Sequence, residues 1–125
     1  MIYPITPVAK PRMTQSDKWK KRASVLKYRA FCDECRYRMG ALDLNHKSIV
    51  FIMPMPKSWS NKRKASMIGA PHQQRPDLSN LLKALEDALY SKKHTGREDA
   101  EVWRLAKLAK IWGEEGGIWV HNDSC

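Results

Sequence analysis

The sequence predicts an α+β protein built as a single domain, with a β-sheet packed by helices. Three observations carry that class. Residues 17–39 and 77–90 place apolar side chains at helical spacing. Lys47-Ser48-Ile49-Val50-Phe51-Ile52-Met53 and Ile118-Trp119-Val120 are runs rich in β-branched and aromatic residues. Proline and glycine separate these segments. A chain of 125 residues suits one domain and buries a core without disulfides or a structural metal. The domain is expected over residues 1–120, with 121–125 as a C-terminal tail.

Residues 1–8 alternate weakly and contain prolines, which fits a short edge strand. Lys10-Pro11-Arg12 follows as a basic loop. The helix over 17–39 has Ser16 or Asp17 as N-cap and Gly40 as its stop. Its spacing predicts a buried face of Trp19, Ala23, Leu26, Ala30 and Tyr37, with a basic outer face of Lys18, Lys20, Lys21, Arg22, Lys27 and Arg29. The strand at 47–53 ends at Pro54 and Pro56, and residues 58–68 form a short helix capped by Ser58 or Ser60. A helix from Asp77 to about Tyr90 and a turn around Gly96 come next. Residues 101–112 are ambiguous on propensity; a hairpin closing through Gly116-Gly117 onto 118–120 favours a strand.

Charge is uneven. Residues 1–75 hold 16 Lys/Arg and 4 Asp/Glu, while residues 76–125 hold 7 and 9, within a formal charge of +10. So basic a chain attracts polyanions, and nucleic acid is the commonest of them. No apolar run reaches the length of a membrane span, and Met1-Ile2-Tyr3-Pro4 lacks the pattern of a signal peptide, so a cytoplasmic protein is expected. Cys32 and Cys35 have metal-pair spacing, but with Cys125 and singly scattered histidines they do not make a zinc ligand set. Reduced, partly buried thiols are expected.

Against this basic background two acidic clusters stand out, one on the 77–90 helix and one at Glu98-Asp99-Ala100-Glu101. At about 100° per residue, Leu78, Leu81, Leu82, Leu85, Ala88 and Leu89 share one side of that helix, and Ser79, Lys83, Glu86 and Asp87 the other. Asp77 stands at the helix start as its cap. A purely structural reading makes Asp77 a helix start and Lys83 with Asp87 an i,i+4 ion pair. The chemical reading is metal-dependent phosphodiester cleavage, which needs convergent oxygen ligands, a water nucleophile and a positive group near the phosphate. Asp77, Asp99 and Lys83 have the chemistry for those parts.

The string Arg75-Pro76-Asp77-Leu78-Ser79-Asn80-Leu81-Leu82-Lys83-Ala84-Leu85-Glu86-Asp87-Ala88-Leu89, followed by Glu98-Asp99-Ala100-Glu101-Val102, resembles the RusA family of Holliday junction endodeoxyribonucleases, common in phages and prophages. Met53-Pro54-Met55-Pro56-Lys57-Ser58-Trp59-Ser60, Pro71-His72 and Pro7-Val8-Ala9-Lys10-Pro11-Arg12 resemble its phage branch. The resemblance spans roughly residues 1–120. It implies a mixed-sheet α+β homodimer that cuts four-way DNA junctions with Mg²⁺ or Mn²⁺ and needs no small-molecule cofactor. Residue by residue, it implies Asp77, Lys83 and Asp99 as catalytic, with Asp77, Asp99 and Glu98 toward the metal. Asp87 matches the aspartate of Asp-Ala-Leu. The family pattern departs at Ser79, where a second carboxylate is expected and a weaker hydroxyl stands. Compensation by Glu86 or Glu98, activity from Asp77 and Asp99 with a neighbour, and junction binding with poor cutting are the three outcomes this leaves open.

Lys10, Arg12, Lys18, Lys20, Lys21, Lys57, Lys62, Arg63, Lys64 and Arg75 are candidates for phosphate contacts, with Trp59 as a stacking or wedge residue beside them. Two rivals stand beside a junction nuclease. One is a branched-DNA-binding protein that regulates recombination with little or no cutting. The other is a single-strand or RNA-binding module whose aromatics stack on bases.

Overall fold

Residues 1–11, 23–40 and 42–122 are described in the computed structural model of this chain. Their order is β1 (Ile2–Tyr3), α1 (Ala23–Met39), β2 (Lys47–Pro54), α2 (Asn61–Met67), α3 (Leu78–Leu89), a 3-10 turn (Asp99–Glu101), β3 (Leu105–Gly113) and β4 (Gly117–Asn122). The strands form one mixed sheet in the order β1-β4-β2-β3, so the chain is of α+β class. It gathers into two compact units: a sheet unit with the four strands and α2, and a helical unit with α1, α3 and the 3-10 turn.

In the sheet unit β2 is the central strand, and Ile49, Phe51 and Met53 bury alternate positions along it. It runs parallel to β3 and antiparallel to β4. A parallel partner needs a long crossover, and the chain between β2 and β3 supplies one. Residues 105–113 are therefore a strand, but the expected hairpin with 118–120 does not form. β4 pairs with β2 and β1 instead. Two strand spacings separate β3 from β4, about 9.6 Å, and the three residues Glu114, Glu115 and Gly116 are long enough to cross them. Gly116 is required there: a Cβ on it would lie 2.5 Å from Thr6 Oγ1 and 2.8 Å from Thr6 Cα.

The expected strand at 1–8 shrinks to Ile2–Tyr3 on the sheet edge, because Pro4 has no N–H to extend the ladder. Ile5 and Pro7 are nevertheless buried. Ser60, one of the two expected caps, caps α2 by accepting from the Arg63 N–H at 3.2 Å. β4 continues through His121 and Asn122, two residues into the expected tail.

In the helical unit α1 packs on α3. The buried face of α1 differs from the expected one. Val25, Tyr28, Phe31, Cys32, Cys35 and Met39 are buried, whereas Leu26 is 45% and Tyr37 87% exposed. Ala23 and Ala30 are exposed too, and Trp19 with the Ser16/Asp17 cap lies outside the described residues. Gly40 ends the helix at φ 55°, a left-handed conformation that glycine adopts without strain. On α3 the buried side is Leu81, Ala84, Leu85, Ala88 and Leu89, close to the expected stripe. Arg97 staples the loops together: its guanidinium donates to the carbonyls of Leu42 at 3.0 Å and Leu89 at 2.9 Å, and lies over the Tyr90 ring. Cys32 and Cys35 are buried and free, and burial pushes the Cys35 thiol up to about 12. Cys125 lies outside the described residues.

Candidate active site

The polar side of α3 faces the 3-10 turn, and a lysine joins them. Lys83 Nζ lies 3.0 Å from Asp99 Oδ2 and 3.6 Å from Asp87 Oδ1. The contact with Asp87 is a one-turn pair on α3; the contact with Asp99 reaches across the chain. Asp87 is the hub. Its Oδ2 also receives Lys10 Nζ at 2.7 Å and accepts from the Tyr28 hydroxyl at 3.0 Å. Lys10, a candidate phosphate contact from sequence, therefore belongs to this cluster. Tyr28 had no signal in the sequence beyond its place on a helix.

The electrostatics follow from the contacts. The hydrogen bond to Asp99 and the charge of Asp87 raise the Lys83 pKa, so this group stays an ammonium through neutral pH. The same hydrogen bond holds the Asp99 carboxyl below the usual carboxylate range. Glu86 moves the other way: its half-burial pushes it up, and the nearby negative charges of Asp99 and Asp87 add to that against the pull of Lys83. Glu86 thus lies within the field of the cluster.

The remaining expected residues are placed as follows. Asp77 is the N-cap of α3, as expected, with the Leu81 N–H on its carbonyl, but its exposed carboxylate makes no capping hydrogen bond. Ser79 is exposed on the first turn. Glu98 pairs with Lys92 at 3.3 Å. Among the described residues no three His, Cys, Asp or Glu side chains are grouped to hold a metal, so Asp77, Glu98 and Asp99 do not form one preassembled cage.

Of the other basic candidates, Lys57, Lys62, Arg63 and Arg75 are exposed and Lys64 is half-buried. Arg12, Lys18, Lys20 and Lys21 lie outside the described residues. Trp59 is packed. Its ring meets that of Trp112 in a tilted contact at 4.8 Å, Arg63 covers it at 4.0 Å, and Trp112 meets the His72 ring, also tilted, at 4.3 Å. Trp103 is the aromatic that sequence reasoning passed over. It is 70% exposed, and its backbone N–H donates to Asn45 Oδ1 at 2.7 Å.

A basic chain with carboxylates gathered around a lysine on one helix has the features of a protein that acts on nucleic acid. The model of the family described as endodeoxyribonuclease RusA matches residues 4–121, and the chain belongs to that family. Membership implies endodeoxyribonuclease and Holliday junction resolvase activity in general terms, with branched DNA as partner. No curated protein and no solved structure matches the chain. No helix among the described residues is long and apolar enough to cross a membrane.

Proposed function

We propose that the chain is a Mg²⁺- or Mn²⁺-dependent nuclease that resolves four-way DNA junctions by paired symmetric nicks, acting as a homodimer in the cytoplasm of a cell carrying a phage or prophage. The observation that carries this reading is the Lys83 ammonium held between Asp87 and Asp99. Two carboxylates sharing one cation make a hard-oxygen donor set. Mg²⁺ needs only one or two carboxylates, since waters and substrate phosphate complete its shell. The residues present therefore fit the ion without a preassembled cage. Asp99 of this pair would hold it, and the family pattern adds Asp77 and Glu98 as its co-ligands; when bound it would supply an activated water and offset phosphate charge.

The protein's own groups have separable roles. Lys83 is a fixed cation, not a proton acceptor, and offsets charge growing on the phosphoryl oxygens. Asp87 orients Lys83, and Tyr28 and Lys10 hold Asp87. Glu86, whose partial burial raises its pKa above the usual carboxylate range, is the carboxyl of the cluster most ready to take up a proton. A four-way junction has two-fold symmetry, so paired nicks require two related sites and hence a dimer. A second reading, junction binding with little cutting, draws on Ser79, the neutral and exposed residue at the expected carboxylate position.

Cleavage of a synthetic four-way junction with and without Mg²⁺ separates the two. Asp99→Asn and Asp77→Asn are expected to lose roughly 10²–10³ in rate while still binding the junction. Wild-type rates in both variants would remove these carboxylates from the chemistry. A wild-type protein that binds but never cuts would favour the second reading.

A further inference from the structure

On the helical unit a cavity of about 400 Å³ opens beside the carboxylate cluster, and its lining includes Tyr28, Arg29, Asp33, Arg36, Lys93 and His94. The two are physically joined. Tyr28 lines the cavity while its hydroxyl holds Asp87. Arg36 Nε donates to the carbonyl of Ala88, the residue after Asp87, at 2.9 Å.

The lining is strongly cationic. Its one carboxylate, Asp33, is already engaged by Arg36 at 3.3 Å. Arg29 and Lys93 are exposed and, among the described residues, have no ion-pair partner. The His94 ring is fixed by a 3.0 Å contact between Nδ1 and Ser91 Oγ. Two unpaired cations and an arginine pinned by backbone, in one concave site, form a receptor for an anion. An arginine fork held in place loses little freedom on binding phosphate.

We propose that this cavity is a subsite for a backbone phosphodiester of the DNA held at the neighbouring carboxylate cluster. It rests on the reading of the chain as a branched-DNA nuclease and adds residues outside its basic candidates. The cluster handles the phosphate that is cut; the cavity fixes another phosphate of the substrate and so sets how the strand enters.

The test is junction affinity across a salt series, without divalent metal, for wild type, Arg29→Ala/Lys93→Ala and Lys107→Ala. Lys107 is exposed on β3 in the sheet unit, and Lys107→Ala removes one charge where the double variant removes two, so it controls for bulk charge when effects are compared per lost charge. The double variant should bind about five-fold more weakly per lost contact at 0.15 M salt, and its log–log salt slope should fall by about 2. Lys107→Ala should stay near wild type in both. A double variant indistinguishable per lost charge from Lys107→Ala overturns the subsite. So does saturable binding of inorganic phosphate that the double variant loses while its junction affinity is unchanged, since the cavity would then serve a free anion. Wild-type protein that shows no salt-dependent junction binding fails before any variant is compared, and that result overturns the functional reading together with the subsite.

Discussion

Ser79 occupies the second position of α3, where the helix dipole favours negative charge, and it is exposed. Ser79→Asp restores the family pattern at little structural cost: a change within about 0.5 kcal/mol of wild type is expected by chemical denaturation. Metal affinity and junction cleavage should both rise. If neither does, Asp87 or Glu86 already fills that role. The short-range part of the site was legible in sequence, because Lys83 and Asp87 are one turn apart. Tyr28 was not: it is separated from Asp87 by 59 positions, and no local spacing encodes that pairing. His72 is a different case. It is buried, its Nδ1 has no hydrogen-bond partner among the described residues, and burial followed by the charge of Lys110 lowers its pKa. The folded state thus binds fewer protons there than the unfolded chain, so stability falls as pH drops below about 6.5 toward the lower folded value. His72→Phe keeps a ring on Trp112 and should flatten the stability profile between pH 7 and 5. An unchanged slope would place the acid sensitivity elsewhere.

Helix α1 shows how an element is found while its orientation is missed. Its extent and its glycine stop were legible, but weighting Leu26 and Tyr37 as anchors turned the helix the wrong way. The buried stripe uses Tyr28, Cys32, Cys35 and Met39, residues that pack as well as aliphatics but carry weak or mixed hydropathy. Phe31→Ala should cost about 3–5 kcal/mol and Tyr37→Ala no more than about 0.5 kcal/mol, read from urea midpoints at constant m-value. The reverse order would reinstate the first face. β3 teaches the complementary lesson. Its strand character was open on propensity and favoured only through a hairpin that does not form, and its true partner was not legible. Parallel pairing with β2 is a long-range choice, and the short 114–116 link mimics a hairpin.

At the scale of the whole molecule, the count of 23 lysines and arginines overstates what is free for DNA. Lys10 and Lys83 neutralise carboxylates, and Arg36 and Arg97 hold backbone carbonyls. Counting charges in sequence cannot separate structural cations from binding ones, because the distinction is made by partners distant in the chain. The same limit applies to the acidic residues: their types and clustering pointed to a cation, and only the fold shows that a lysine already links two of them. That arrangement predicts a metal response that does not depend on cutting. A ligand at 100 times its Kd stabilises the folded state by about 2.7 kcal/mol, roughly 10 °C in Tm for a chain of this size. Mg²⁺ should therefore raise the Tm of the wild type beyond an ionic-strength-matched NaCl control, and Asp99→Asn should abolish the shift. Because Lys83 depresses the Asp99 pKa, the shift should survive at pH 5 and fade only as pH falls through that lowered value, when proton and metal compete for the same oxygens. A shift lost while Asp99 is still ionised would point to Glu86, whose pKa is raised, as the ligand that matters. A shift retained in Asp99→Asn would place the ion away from Asp99.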